Sequence, residues 1–175
     1  DVATSFAANS LSENEVGTVS LVDENGENFA AEIKKSLCVK NTSDVFPLGG
    51  EPPKVLVVTA ITRAYHTETG SETSPVGGVV ANAALEYNDG GALGNNTFST
   101  VYGSWSPTSG TGLSVIDMGY RCSSTAGSDS GTISCGTTFF NDSIRYSGTT
   151  LFLNTYATVY YYNDVKNLKL TIEVK

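Results

Sequence analysis

The chain has a single imidazole, His66, and nucleophilic chemistry would have to be built around it. Such chemistry needs a hydroxyl or thiol, an oriented base and donors for the developing oxyanion. Ser130, in Gly127-Ser128-Asp129-Ser130-Gly131-Thr132, is a hydroxyl that lies after His66 in the chain. A second chemistry, glycoside hydrolysis, requires an acid and a base at a set separation. Glu86, Asp89 and Asp117 are the candidates, but no spacing among them identifies such a pair, and they read as surface charge. Oxygen ligands gather at Asp23-Glu24-Asn25-Gly26-Glu27-Asn28 and at Asn88-Asp89-Gly90-Gly91. Neither has full EF-hand spacing, and the Asn-Gly step favours a plain turn over a calcium site. One His and no Cys-x-x-Cys leave no zinc spacing. The expectation is a non-enzymatic chain without metal or cofactor.

The His-then-Ser order resembles that of chymotrypsin-like proteases, which place the His directly after a Thr-Ala-Ala strand end and the Ser in a Gly-Asp-Ser-Gly-Gly run. Here the strand reads Val57-Val58-Thr59-Ala60-Ile61 with His66 farther on, and the loop has Ser128 before Asp129 and Thr132 after Gly131. Both signatures break at specific positions, so His66 reads as an exposed residue at a strand end. Of three cysteines, Cys122 and Cys135 bracket the Ser/Gly/Thr-rich stretch Ser123–Ser134 and are the expected disulfide. Closing a loop of that size stabilises by roughly 3 kcal/mol in the loop-entropy description. Cys38, in Leu37-Cys38-Val39, reads as either a small buried residue or an exposed thiol, with the buried free thiol the preferred reading.

Acidic residues number 18 against 10 basic, a formal charge of −8, which repels nucleic-acid phosphates and anionic lipid surfaces. Only 16% of residues are charged, below the quarter or so typical of soluble domains, and hydroxyls and amides carry solubility instead. Apolar runs fall short of the roughly 18 residues of a membrane-spanning helix, so no membrane span is expected. A start at Asp1 without an apolar leader fits a mature, extracellular or cell-surface protein. Asn41, Asn95 and Asn141 open Asn-x-Ser/Thr tripeptides and are candidate glycosylation sites.

The elements that must position all these residues are strands. Helical periodicity is nearly absent, while β-branched and aromatic residues alternate between Gly, Asn, Asp and Pro clusters. Leu168, Leu170, Ile172 and Val174 alternate with Lys169, Thr171, Glu173 and Lys175, which predicts a last strand with one buried face. Val55 to Thr62 is nearly continuous in apolar and β-branched residues and predicts a central strand covered on both faces. Thr18–Asp23 and Glu27–Ile33 flank Asn25-Gly26 and predict a hairpin. Further strands are predicted at Val79–Tyr87, Thr97–Trp105, Leu113–Cys122, Thr132–Phe140 and Leu151–Tyr162, with loops at Asn88–Asn96, Ser106–Gly112 and Ser123–Gly131. At nine or ten strands, this is an all-β chain, a single β-sandwich or jelly-roll domain over 11–175 behind an extended N-terminal arm at 1–10.

In that arm Val2, Thr4, Phe6 and Ala8 alternate with smaller or polar residues and give one mildly apolar face. It would serve either as the domain's own edge strand or as a strand donated to a neighbour's open edge. A sandwich with such an arm, low charge and a hydroxyl-rich surface resembles strand-donating subunits of extracellular filaments: pilins, TasA-like biofilm fibres and archaeal bundling pili. The chain departs from chaperone-usher pilins in ending Glu173-Val174-Lys175 without a penultimate tyrosine and in lacking a cysteine pair near its start. The resemblance implies a structural subunit of a pilus, biofilm fibre or surface layer whose partners are copies of itself, bound through Val2, Thr4, Phe6 and Ala8. The alternative is an adhesin or lectin domain that stacks surface glycans on loop aromatics such as Trp105, one of a late cluster with Tyr102, Tyr156, Tyr160, Tyr161 and Tyr162; on a strand alternate members must point inward, so at least part of the cluster is core.

Overall fold

A computed structural model describes residues 6–8, 17–40, 52–62, 64–67, 73–90, 94–108, 113–134, 137–161 and 164–175, with residues 6–8, 40, 64–67, 73–77, 128–134, 161 and 164 described by backbone alone. The alternating segments form strands, and no helix occurs among the described residues. In chain order these are β1 (Phe6–Ala8), β2 (Thr18–Val22), β3 (Ala31–Lys40), β4 (Lys54–Thr62), β5 (Ala64–Thr67), β6 (Thr73–Gly77) and β7 (Val79–Asn88). There follow β8 (Asn96–Pro107), β9 (Leu113–Ser124), β10 (Ser128–Ser134), β11 (Thr138–Asn141), β12 (Ser147–Gly148), β13 (Leu151–Tyr161) and β14 (Asp164–Val174).

Two antiparallel sheets pack into a β-sandwich, as the alternation predicts. One runs β1-β3-β4-β7-β8-β11 with β12 also on β8, the other β10-β9-β13-β14-β2, and β5 pairs with β6 apart from both. Leu56, Val58 and Ala60 of β4 share one core with Leu168, Leu170 and Ile172 of β14. Full cover on both faces of β4 is met at Val55 and Leu56, whereas Val57, Thr59 and Ile61 stay half-buried.

A buried polar link ties the layers together. Trp105, fully buried on β8, donates its Nε1–H to Thr155 Oγ1 on β13 at 2.8 Å. The Thr155 hydroxyl donates to the Gly119 carbonyl at 3.0 Å, so both polar groups are satisfied inside the core. Nearby, Phe139 stacks on Tyr120 with ring centroids 4.7 Å apart. The Phe139 ring lies so close to Gly103 that a Cβ there would collide with it, which is why β8 carries glycine at this point.

Three expectations change. β2 and β3 are not a hairpin: β2 pairs with β14 and β3 with β4, in opposite sheets. The turn itself forms, with Gly26 at φ +77°, but beyond the single bridge Val22–Asn28 its arms diverge to separate layers. Thr132–Phe140 is two strands, β10 and β11, one in each sheet. The Ser123–Gly131 loop shrinks to a tight turn in which the Ser124 amide donates to the Gly127 carbonyl at 2.7 Å.

Tyr87 supplies a pH test of this packing. Its hydroxyl is pushed up to about 12, first by burial and second by the Asp89 carboxylate, which pairs with Lys54 at 2.7 Å. An unfolded tyrosine ionises near 10. The folded chain therefore holds the proton more tightly, so this contribution to stability is complete below pH 10 and is lost as the pH rises towards 12. Urea melts across that window should show a steep alkaline loss that Tyr87→Phe flattens; an unchanged slope would exclude Tyr87 as its source.

Candidate functional site

Two surfaces have the geometry of a site, a sheet edge and a groove. The edge is β3. Phe6–Ala8 pairs antiparallel with its last residues, Phe6 opposite Lys40, Ala7 opposite Val39 and Ala8 opposite Cys38. Beyond these three positions, β3 has no further partner strand on that side among the described residues. Such a row of backbone groups is a template for another strand. Glu32 and Lys34, paired at 3.4 Å, put charge along the exposed part of the strand, a feature that discourages indiscriminate pairing.

Gly17 immediately precedes β2. Its φ is +99°, and a Cβ would strike the Glu173 carbonyl oxygen, so only glycine fits at the entry to β2. Lys35 Nζ donates to the Gly17 carbonyl at 2.9 Å and fixes this point to β3.

The groove, of about 830 Å³, lies on the outer face of the five-stranded sheet. Gly119, Tyr156, Lys169 and Val22 stand in one row across β9, β13, β14 and β2. Tyr156 is 42% exposed, and the absence of a side chain at Gly119 lowers the floor beside its ring. A neighbouring row carries Asp117, Thr158 and Asn167; the row on the other side carries Arg121, Asn154 and Thr171. Thr158 Oγ1 donates to Asn167 Oδ1 at 2.9 Å and Thr171 Oγ1 to Asn154 Oδ1 at 2.8 Å, which orients both amides. A β-bulge between Thr158 and Val159 skips Ile116, so that both it and Asp117 lie on the solvent side. The β2–β3 turn forms the wall: Asp23 Oδ1 accepts from the Asn25 and Glu27 amides at 2.9 and 3.0 Å. Glu24 reaches across to Lys166 at 3.7 Å.

Of the residues singled out above, Val2, Thr4, Asn41 and Cys135 lie outside the described residues, while Phe6 and Ala8 are in β1. The Cys122–Cys135 pairing falls outside with Cys135. Cys122 is fully buried, and Cys38 is the buried thiol expected. Asn95 is exposed. The Asn141 amide is engaged, donating to the Tyr120 hydroxyl at 3.0 Å and accepting from the Ser143 amide at 2.8 Å. His66 and Ser130 belong to different sheets, on β5 and β10, and no pairing joins them. Trp105 is core, not a loop aromatic, so the expectation that it stacks glycans is wrong: its indole is sealed between the layers. Tyr156, a member of the late aromatic cluster, is outward as strict alternation through β13 requires, but the groove around it is not legible in the sequence.

The chain matches no protein-family model, no curated protein and no solved structure.

Proposed function

We propose that the chain is a structural subunit of an extracellular filament or surface layer, in which the N-terminal arm completes the β3 edge of a neighbouring copy. The observation that supports this reading is the β1–β3 pairing: a short strand seated at one end of a long edge that has no other partner strand among the described residues. The same antiparallel register serves whether the arm comes from its own chain or from the next, which is the physical basis of strand exchange. Backbone hydrogen bonds supply the affinity, and alternation of side chains enforces register, because a one-residue slip reverses every face.

The register provides its own test. Ala8 lies directly opposite Cys38, so Ala8→Cys places two thiols on facing strands, within the separation a disulfide spans. Mild oxidation of assembled material should give a ladder of covalent multimers on a non-reducing gel, with the link mapping to positions 8 and 38. Assembled material in which that link forms only inside single chains would overturn strand exchange.

A further inference from the structure

We infer that the groove on the outer face of the five-stranded sheet is a binding site for a neutral oligosaccharide, with Tyr156 as its stacking platform. This is independent of how the chain assembles.

Three features of the groove select that ligand class. The first is an exposed aromatic face on the sheet. Tyr156 is 42% exposed although the residues on both sides of it along β13, Thr155 and Ala157, are buried. An aromatic face carries partial negative charge and favours the apolar, slightly positive C–H face of a pyranose ring.

The second is what flanks the ring. Hydroxyls and amides occupy the rows on either side, with Thr158 and Thr171 holding the Asn167 and Asn154 amides by their Oδ1 atoms. Thr158 and Asn167 line the groove; with its Oδ1 held by Thr158, the Asn167 amide offers its Nδ2 as the donor to a ligand hydroxyl and loses little side-chain entropy on binding. The residues of one row are about 4.8 Å apart from strand to strand, close to the length of one sugar unit, so successive units meet successive strands.

The third is charge. The lining holds Asp23, Glu24 and Asp117 alongside Arg121 and Lys169. Mixed signs at a similar count give no single-sign field, and the chain as a whole stands at −8. An anionic polymer or phosphate is therefore disfavoured, while a ligand that donates and accepts hydrogen bonds without net charge finds partners for both.

The test is a titration of the isotopically labelled full chain, followed by amide resonances, with three neutral hexasaccharides (β-linked glucose, β-linked xylose, α-linked mannose) and with heparin. At least one neutral hexasaccharide, taken into the millimolar range, should shift the amides of Asp117, Tyr156, Thr158 and Asn167. Tyr156→Ala should weaken that binding by about tenfold or more, and Tyr156→Phe should preserve most of it. Thr158→Val should weaken binding by a smaller factor with the aromatic platform intact. The mutated side chains are exposed or half-buried, so each variant is expected to keep its wild-type melting curve. The proposal is overturned if no neutral sugar moves these amides, if Tyr156→Ala leaves affinity unchanged, or if heparin alone binds.

Discussion

Replacing Trp105 by alanine should cost the fold about 3–5 kcal/mol, in the range for truncating a fully buried indole. For a domain whose total stability is of order 5–15 kcal/mol, that is a large share. At roughly 2–4 °C per kcal/mol for a domain of this size, the melting temperature should fall by about 6–20 °C. Two effects add. The indole leaves a void at the centre of the sandwich, between β8 and β13, and the Thr155 hydroxyl loses its donor while keeping its bond to the Gly119 carbonyl. Thr155→Val separates them: it preserves volume but leaves the indole N–H buried without an acceptor, a penalty of about 1–3 kcal/mol. The chain has one tryptophan, so its fluorescence follows unfolding of the valine variant directly, and circular dichroism follows the alanine variant. A Trp105→Ala melting curve within a degree of wild type would show that the indole is not where the two layers meet.

Deleting residues 1–9 should abolish assembly and leave a folded subunit. β1 adds only three paired positions to an edge that β4 supports along its other side. The core on which the fold depends comes from both sheets of the sandwich body. Cys38 reports the state of the edge independently. It lies opposite Ala8 and is 9% exposed. The deletion should speed its alkylation, and a synthetic peptide of residues 1–9 should restore protection and raise the melting temperature. Microscopy of the same samples reads assembly. Filaments of normal form from the deleted chain would end the strand-exchange reading, whereas a large fall in monomer stability with no wild-type assembly would identify the arm as the domain's own edge strand.

The groove differs from both in being shallow and solvent-facing. Its variants are expected to change binding without changing stability, the reverse of Trp105. That contrast separates the two aromatic residues that sequence reasoning places in one cluster. Phe139 and Tyr120 join Trp105 on the core side, by stacking across the two layers.

What the residues determine unaided is local. A period of two at Leu168, Leu170, Ile172 and Val174, and at Leu151, Leu153, Thr155, Ala157 and Val159, is enough to make strands with one buried face, because side chains on a pleated strand must alternate. The same period makes Tyr156 outward and leaves Trp105 undecided, since one face of its strand carries Val101, Gly103 and Trp105 and the other Tyr102 and Ser104, so that each face mixes a large apolar residue with a small or polar one. Asn25-Gly26 determines a turn, because Gly26 takes a positive φ at no steric cost. It does not determine where the two arms go. Only packing sends β2 and β3 to opposite sheets, where each buries its apolar side on different partners. The groove is the furthest from sequence. Asp117, Thr158 and Asn167 come from three strands, and cross-strand register together with the bulge that skips Ile116 brings them into one row. Register is a relation between segments, chosen by how two whole faces bury their side chains, and no single segment carries it.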